Sequence, residues 1–406
     1  MHAKDEVVVL GVTGSIAAYK SAEIVTRLIR LGYSVQVIMT ESAIQFVSPL
    51  TFQTLSKNSV ITSLFTPNLQ CEVEHIALVD KCKLLLIAPA TANIISKIAH
   101  GIADDFLSTF AVAYNQQILI APAMNHHMWN NSIIQENVKK LQQRGVSFVL
   151  PEYGRLACGV EAQGRLAEIK NIIDAVEIII HKPKSLTGKT VVITAGATRE
   201  MIDPVRYISN PASGKTGYAL AKSAKKFGAK VILISGYATI DVPWGIDEYY
   251  KAGSAKEMKE KVMECMHSAD IFISAAAVSD YTPEKVYNQK LKKTDKEEII
   301  LRLKTTDDIL EGVSKKYKDH RILVGFAAET ENVVENAKAK LDKKQLDIIV
   351  ANDVSRKDIG FGSDKNEVII ITRYGSIEEL PCITKQEIAD RLMMNIVDMI
   401  NDSSGE

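Results

Sequence analysis

Short apolar runs rich in Val and Ile recur along this chain, each bounded by small or polar turn residues and separated from the next by a longer stretch of mixed polarity. In the first half they are Glu6–Gly11, Val35–Met39, Leu84–Ala88 and Ile118–Ala121. In the second they are Thr190–Thr194, Val231–Ser235, Ile271–Ala275, Ile322–Phe326, Ile348–Ala351 and Val368–Thr372. Runs this short and this apolar read as buried strands rather than helices. Their alternation with helical stretches demands mostly parallel sheets covered by helices on both faces. The expected fold is therefore α/β, with two doubly wound, mostly parallel-sheet domains. Between the two sets, Ile178–Lys189 carries Pro183, Ser185 and Gly188 in a stretch of mixed polarity. It places a first domain at 1–180, a linker at 181–188 and a second domain at 189–406.

Charge and cysteine usage narrow the function. Lys+Arg and Asp+Glu both number 49, so the formal net charge is zero. No global basic field points to nucleic acid, and small-molecule substrates are the better expectation. The five cysteines include no CxxC pair and are odd in number. That argues against a disulfide framework or zinc site and for a reducing, cytoplasmic setting. No apolar run approaches the roughly 20 residues of a membrane span.

The turn after the first run, GVTGS, opens a βαβ unit. Gly11, Gly14 and Ser15 make it tight, Ile16–Leu31 reads as helix, and Gly32 as the residue just past its end. A dinucleotide fingerprint needs three glycines, but positions 11, 13 and 16 are Gly, Thr and Ile. A loop sized for one phosphate at a helix N-terminus favours FMN over NAD. The runs at 84 and 118 each lead into Ala-Pro-Ala and a polar turn, which places two ligand-facing loops at one sheet edge. There Asn93, Asn125 and Asn131 offer amide donors, although any single Asn is more often turn chemistry. His75 lies in a helical stretch, where packing is the commoner role. His126 and His127 are adjacent, poor metal geometry. Cys158 sits in a Gly-flanked, Arg-containing loop, which favours an exposed, reactive thiol.

In the second half, the strand at Val191–Ile193 is followed by a long polar stretch, Thr194–Ala221, with a helix expected near Gly217. Ordinary strand-to-helix loops take roughly 2–6 residues, so one this long is functional. Its Gly and Ser backbone N–H groups and the guanidinium groups of Arg199 and Arg206 suit an anionic ligand. Gly214-Lys215-Thr216 imitates the end of a P-loop, but the first glycine of that motif would fall at Ser209, so that reading fails.

Taken in order, GVTGSIAAYK, EHI, APATANIISKIAHGIADD, APAMNHHMWNN and ACGVEAQGR resemble the flavin-dependent cysteine decarboxylases, specifically the phosphopantothenoylcysteine decarboxylase half of the bifunctional coenzyme A biosynthesis enzymes. TAGATREMIDPVRYISNPASGKTGYALA, AAAVSDY, KLKK, VGFAAETENVVENAKAKL and IVANDVSRKDIGFGSDKN resemble the phosphopantothenate–cysteine ligase half. The resemblance implies a flavodoxin-like first domain and a Rossmann-like second. It implies CTP-dependent joining of 4'-phosphopantothenate to cysteine, then decarboxylation to 4'-phosphopantetheine, with FMN and Mg²⁺ as cofactors. FMN would be held by Gly14, Ser15, Thr40, Pro89, Thr91 and Asn93. His75 would be the base, Asn125 the carboxylate ligand and Cys158 the proton donor. CTP would meet Ala275, Ala276, Asp280, Lys290, Asp308, Ile309, Phe326, Lys340 and Lys344, with Asp280 on the metal; Asn210 would hold the acyl-cytidylate. The implied assembly is a homo-oligomer, a dodecamer of decarboxylase trimers joined through ligase dimers, with no nucleic-acid or membrane partner.

Three departures accompany the resemblance. Ala162 and Leu166 stand where the family carries Gly and Met, and Thr306-Asp307 where it carries Asn-Pro. If the family's glycine takes positive φ, Ala162 implies a changed turn. Two other readings are weaker. A non-catalytic flavin-binding regulatory protein is opposed by His75, Asn125 and Cys158 occurring together with a whole ligase half. A nicotinamide-dependent oxidoreductase is opposed by the missing fingerprint.

Overall fold

The structure, a computed structural model, describes residues 6–64, 74–181, 184–292, 299–317, 321–329, 331–353 and 363–403, without the side chains of 74–77, 353 and 403. Contacts divide the chain into two units, Met1–Ile180 and His181–Glu406.

The first unit holds five parallel strands: β1 (Val7–Val12), β2 (Ser34–Met39), β3 (Cys82–Ala90), β4 (Ile118–Pro122) and β5 (Ser147–Phe148). Their order is β2-β1-β3-β4-β5, the flavodoxin arrangement. In that order the chain leaves β1 to one side and returns on the other. The resulting crevice lies at the carboxyl ends of β1 and β3. Val8–Leu10 and Leu84–Ala88 are wholly buried, as a sheet with both faces covered requires. The expected helix after β1 begins as a 3₁₀ turn, Ile16–Lys20, and becomes α-helical at Ser21–Arg30. An antiparallel hairpin, β6 (Glu152–Arg155) with β7 (Glu161–Arg165), follows the sheet.

The second unit is built on an eight-stranded sheet. Its strands are β8 (Thr190–Ala195), β11 (Lys230–Ser235), β12 (Glu248–Lys251), β13 (Ile271–Ser274), β16 (Ile322–Glu329), β17 (Ile348–Asp353), β18 (Lys365–Thr372) and β19 (Ile377–Thr384). The order is β12-β11-β8-β13-β16-β17-β18-β19. The first six are parallel and follow the Rossmann order; β18 and β19 extend the edge antiparallel. Two short hairpins stand apart from this sheet: β9 (Arg199–Met201) with β10 (Tyr207–Ser209), and β14 (Tyr281–Pro283) with β15 (Leu303–Thr305). The long polar stretch after β8 is therefore partly ordered by β9 and β10, and its helix starts at Lys215, two residues before the expected Gly217.

The stretch expected as linker is in part packed structure. Leu186 is fully buried in the second unit's core, and its N–H donates to the Phe227 carbonyl at 2.8 Å. Lys184 Nζ donates to the Lys226 carbonyl at 3.0 Å, and the His181 ring lies 4.8 Å from that of Phe227.

Candidate functional site

The crevice of the first unit gathers the residues expected to hold a cofactor. The chain turns sharply at Gly14: an added Cβ would lie 2.4 Å from Ser42 Cβ, so no larger residue fits without displacing the neighbouring loop. Ser15 caps the following 3₁₀ turn through Ala17 N–H, and Thr40 caps the next short helix through Ala43 N–H. From β3 come Pro89, after a cis peptide bond to Ala88, and Thr91, which caps the helix Ala92–His100; Asn93 is exposed beside it. Thr13 went unread in the sequence, yet its buried hydroxyl ties the two loops together. It donates to the Pro89 carbonyl at 2.7 Å and accepts from Thr91 N–H at 3.0 Å.

Two of the three residues expected to act on substrate come together. Asn125 leaves β4 as the cap of a single helical turn, its Oδ1 accepting from His127 N–H at 2.9 Å. That bond orients the amide, and Nδ2 donates to Cys158 Sγ at 3.6 Å. Cys158 is exposed at the tip of the β6–β7 hairpin. The hairpin is fixed to the Asn125 turn through Gly164, whose carbonyl accepts from Met124 N–H at 3.0 Å. Gly164 has φ +155°, and an added Cβ would lie 2.3 Å from the Met124 carbonyl oxygen. His75 lies in the helix Glu74–Lys81, but its side chain is outside the described residues. Ala162 pairs with Gly154 inside β7 and is not among the positive-φ residues. The left-handed positions of the hairpin fall on Gly159 and Gly164, so Ala162 needs no strained turn. Leu166 is buried.

The second unit holds a cavity of about 580 Å³ at the carboxyl ends of β8, β13, β16 and β17. This is where the strand order reverses, the place where open α/β sheets bind ligands. Asn210, Ala275, Ala276, Asp280, Asp308, Ile309, Phe326, Lys340 and Lys344 all line it. Asn210 Nδ2 donates to the Val278 carbonyl at 3.2 Å, and Ala276 N–H donates to Thr194 Oγ1 at 3.2 Å. Asp308 accepts from Glu311 N–H at 2.9 Å and pairs with Lys344 at 2.6 Å. Burial pushes the Asp308 carboxyl up, but the Lys344 ammonium and the helix N–H groups outweigh it and hold it below the usual carboxylate range. Lys340 pairs with Glu329 at 2.5 Å. Thr306, at the position of departure, donates through Oγ1 to the Ser279 carbonyl at 2.6 Å and through N–H to the Asp280 carbonyl at 2.9 Å, fixing the backbone at Asp280.

Lys290 is exposed and does not line this cavity. Its neighbour Leu291 is tied to the β9–β10 turn: its N–H donates to Asp203 at 3.1 Å and its carbonyl accepts from Arg206. Three contributors went unread in the sequence. The helix Lys215–Lys226 starts at the cavity, after Gly214, with no side-chain cap. Lys215 also lines the cavity and pairs with Asp364 at 2.6 Å. Lys385, at the start of the last helix, is a buried cavity lysine; burial, reinforced by the Lys215 charge, pulls its ammonium below the usual lysine range despite Asp364.

Comparison with known proteins gives two consecutive family matches along the chain. Residues 1–181 match the family described as flavoprotein, and residues 186–400 the DNA/pantothenate metabolism flavoprotein C-terminal domain. The coenzyme A biosynthesis bifunctional protein CoaBC of Bacillus subtilis is 45% identical over 401 residues, covering 98% of each chain. The chain belongs to the CoaBC family. The CoaBC protein of Escherichia coli is 39% identical over 96% of each chain. A crystal structure of the C-terminal domain of a CoaBC protein covers 54% of this chain and 100% of its own, with 39% identity and a TM-score of 0.47. As a CoaBC member, this chain is a bifunctional enzyme of coenzyme A biosynthesis, with a flavoprotein unit and a pantothenate-metabolism unit. Among the described residues no helix is long and apolar enough to cross a membrane.

Proposed function

We propose that the second unit joins phosphopantothenate to cysteine using CTP, and that the first unit decarboxylates the product to phosphopantetheine with FMN. The observation that carries this furthest is the 3.6 Å approach of the Asn125 amide to the Cys158 thiol. It sets a carboxylate-binding donor beside a proton donor at the edge of a flavodoxin-type crevice.

FMN fits the crevice of the first unit, where the bare Gly14 turn and the Thr13 bridge bring two loop backbones together; Ser15, Thr40, Pro89, Thr91 and Asn93 would complete its hold. When bound it would supply a reversible two-electron transfer, taking a hydride equivalent from the thiol-bearing carbon so that this carbon becomes an electron sink for departing CO₂, and returning it once the enethiolate has been protonated. Asn125 Nδ2 holds the substrate carboxylate, His75 takes the thiol proton, and Cys158 returns a proton to the carbon that lost CO₂. In the second unit the substrate carboxylate attacks the α-phosphorus of CTP and pyrophosphate leaves. The amine of cysteine then attacks the acyl-cytidylate and CMP leaves. Lys340, Lys344 and the uncapped helix at Lys215 suit the polyphosphate. Among the described residues no cluster of three or more His, Cys, Asp or Glu could hold an ion alone. Mg²⁺ would therefore be shared between Asp280 and the nucleotide phosphates, its usual mode. A free-thiol substrate requires a reducing setting, which supports a cytoplasmic enzyme. The expected dodecamer is checked by mass measurement in solution.

The purified full-length chain should take up FMN and should release pyrophosphate only when CTP and phosphopantothenate are both present. A chain that takes up no flavin would end the first assignment, and one indifferent to CTP the second. The two ligase steps should separate by mutation. Lys290 lies outside the cavity, so its assigned role requires its segment to fold over the bound nucleotide; Lys290→Gln would then remove the charge that meets two anions, and acyl-cytidylate should not form. Asn210→Asp adds a negative charge beside the intermediate, so the step with cysteine should suffer and the intermediate should accumulate. Rapid quench with labelled CTP, with and without cysteine, reads both; the opposite pattern would exchange the two roles.

A further inference from the structure

The turn between β9 and β10 is built on a fully buried carboxylate, Asp203, both of whose oxygens are engaged. Oδ1 accepts from Val205 N–H and Arg206 N–H, each at 2.8 Å, and so closes the turn. Oδ2 reaches out of the turn and accepts from Leu291 N–H at 3.1 Å, across 88 positions of the chain. Arg206 completes the clasp. Its Nε lies 3.5 Å from Asp203 Oδ2, and its guanidinium donates to the Leu291 carbonyl. Just ahead, Tyr287 N–H donates to the Ile202 carbonyl at 2.9 Å. The stretch from Tyr287 to Leu291 is therefore sewn to the turn at both ends, with Lys290 inside it.

Two chain paths run from this clasp to the large cavity. β10 ends at Ser209, and the next residue, Asn210, lines the cavity. Traced back from Tyr287, the chain passes through β14 to Tyr281 and Asp280, which line it as well. Asp203 itself does not line the cavity, so it has no contact there with a ligand. The turn alone needs only Oδ1, which an asparagine would supply without burying a charge. What the charged second oxygen adds is the hold on Leu291 and Arg206.

We infer that Asp203 is a positioning residue for the first ligase step: it fixes Leu291 on the β9–β10 turn and so sets the point from which the neighbouring Lys290 reaches the bound nucleotide. The inference rests on the ligase reading and on the charge assigned there to Lys290. With the clasp released, the Lys290 segment is tied to the cavity only through β14, and the ammonium is no longer oriented when the carboxylate attacks the α-phosphorus.

The test uses the full-length enzyme and Asp203→Asn. An asparagine has one acceptor oxygen and one donor amide. With the oxygen on the two turn N–H groups, the amide nitrogen faces Leu291 N–H, donor against donor. The turn is kept and Leu291 is released. Rapid quench with labelled CTP should show acyl-cytidylate forming about 100-fold more slowly, the scale of a small misplacement in an oriented site. The KM for CTP and the step with cysteine should not move, which a general loss of structure would not spare. Hydrogen exchange in the wild type is the second measurement: Leu291 N–H should exchange more slowly than that of exposed Lys290. Unchanged or faster acyl-cytidylate formation in Asp203→Asn, equal losses in both steps, or equal exchange at Leu291 and Lys290 would each overturn the inference. Lys290→Gln is run beside it. Normal acyl-cytidylate formation there would remove the Lys290 assignment and this inference together, whereas a block there with none in Asp203→Asn would remove this inference alone.

Discussion

Cys158→Ser should release CO₂ and yet fail to deliver phosphopantetheine. Loss of CO₂ needs the carboxylate held and the adjoining carbon oxidised, and neither depends on the Cys158 thiol in the assigned scheme. The next step does depend on it, because the enethiolate left behind must gain a proton at carbon. Cys158 is exposed at the hairpin tip, with Asn125 Nδ2 3.6 Å from its sulfur, so the donor stands beside the place where the carboxylate was. A serine hydroxyl is a far weaker acid than a thiol. Removal of a positioned general acid costs about 10²- to 10⁴-fold in rate. Labelled CO₂ and phosphopantetheine should be counted in the same single turnover. Normal yields of both from Cys158→Ser would remove this residue from the proton-donor role, whereas loss of both would move its action to an earlier step.

Gly164→Ala should be nearly as damaging, although Gly164 has no side chain to take part in the chemistry. Its backbone at φ +155° suits glycine, and a methyl group there would meet the Met124 carbonyl oxygen at 2.3 Å. Backbone on both sides leaves no flexible atom to yield. The hairpin must lift from the Asn125 turn, carrying Cys158 with it. A displacement of about 1 Å in an oriented site costs on the order of 100-fold. Decarboxylation should fall by that factor or more, while CTP-dependent ligation in the other unit is untouched. Gly154→Ala, in the facing strand, is the matched control. Its added methyl would find only Arg165 side-chain atoms, at 3.6 Å. Equal decarboxylation by the two variants would mean that the hairpin does not need this seat.

The strands legible in the sequence are those buried on both faces, because burial leaves them no polar residue to blur the run. Val8–Leu10 and Val191–Ile193 are fully buried examples. The unread strands lack that signature. β12 (EYYK) is half-buried at the sheet edge, and β19 (IEELPCIT) interrupts its apolar residues with two adjacent Glu and a Pro along the other edge. β9 and β10 are three residues each, too short for any period to declare itself. The candidate sites divide in the same way. Asn125 and Cys158 could be named because each lies in a run of turn residues, but only folding brings them together across 33 positions. Lys385 carries no local signal at all. It reaches the cavity from the last helix, and its burial follows from how that helix packs rather than from its neighbours in the chain.

Leu186 decides where the second unit can be cut. It precedes β8, yet it is fully buried among Phe227, Ala229 and residues of the last helix. A gene encoding that unit alone, opened at the first strand, would leave a leucine-sized hole beneath the sheet. Such a hole costs about 2–5 kcal/mol, against the roughly 5–15 kcal/mol that holds an ordinary domain together. The boundary between the two enzymes therefore lies upstream of the boundary between their sheets, and a split of this chain into separate proteins would have to carry residues 184–188 with the ligase.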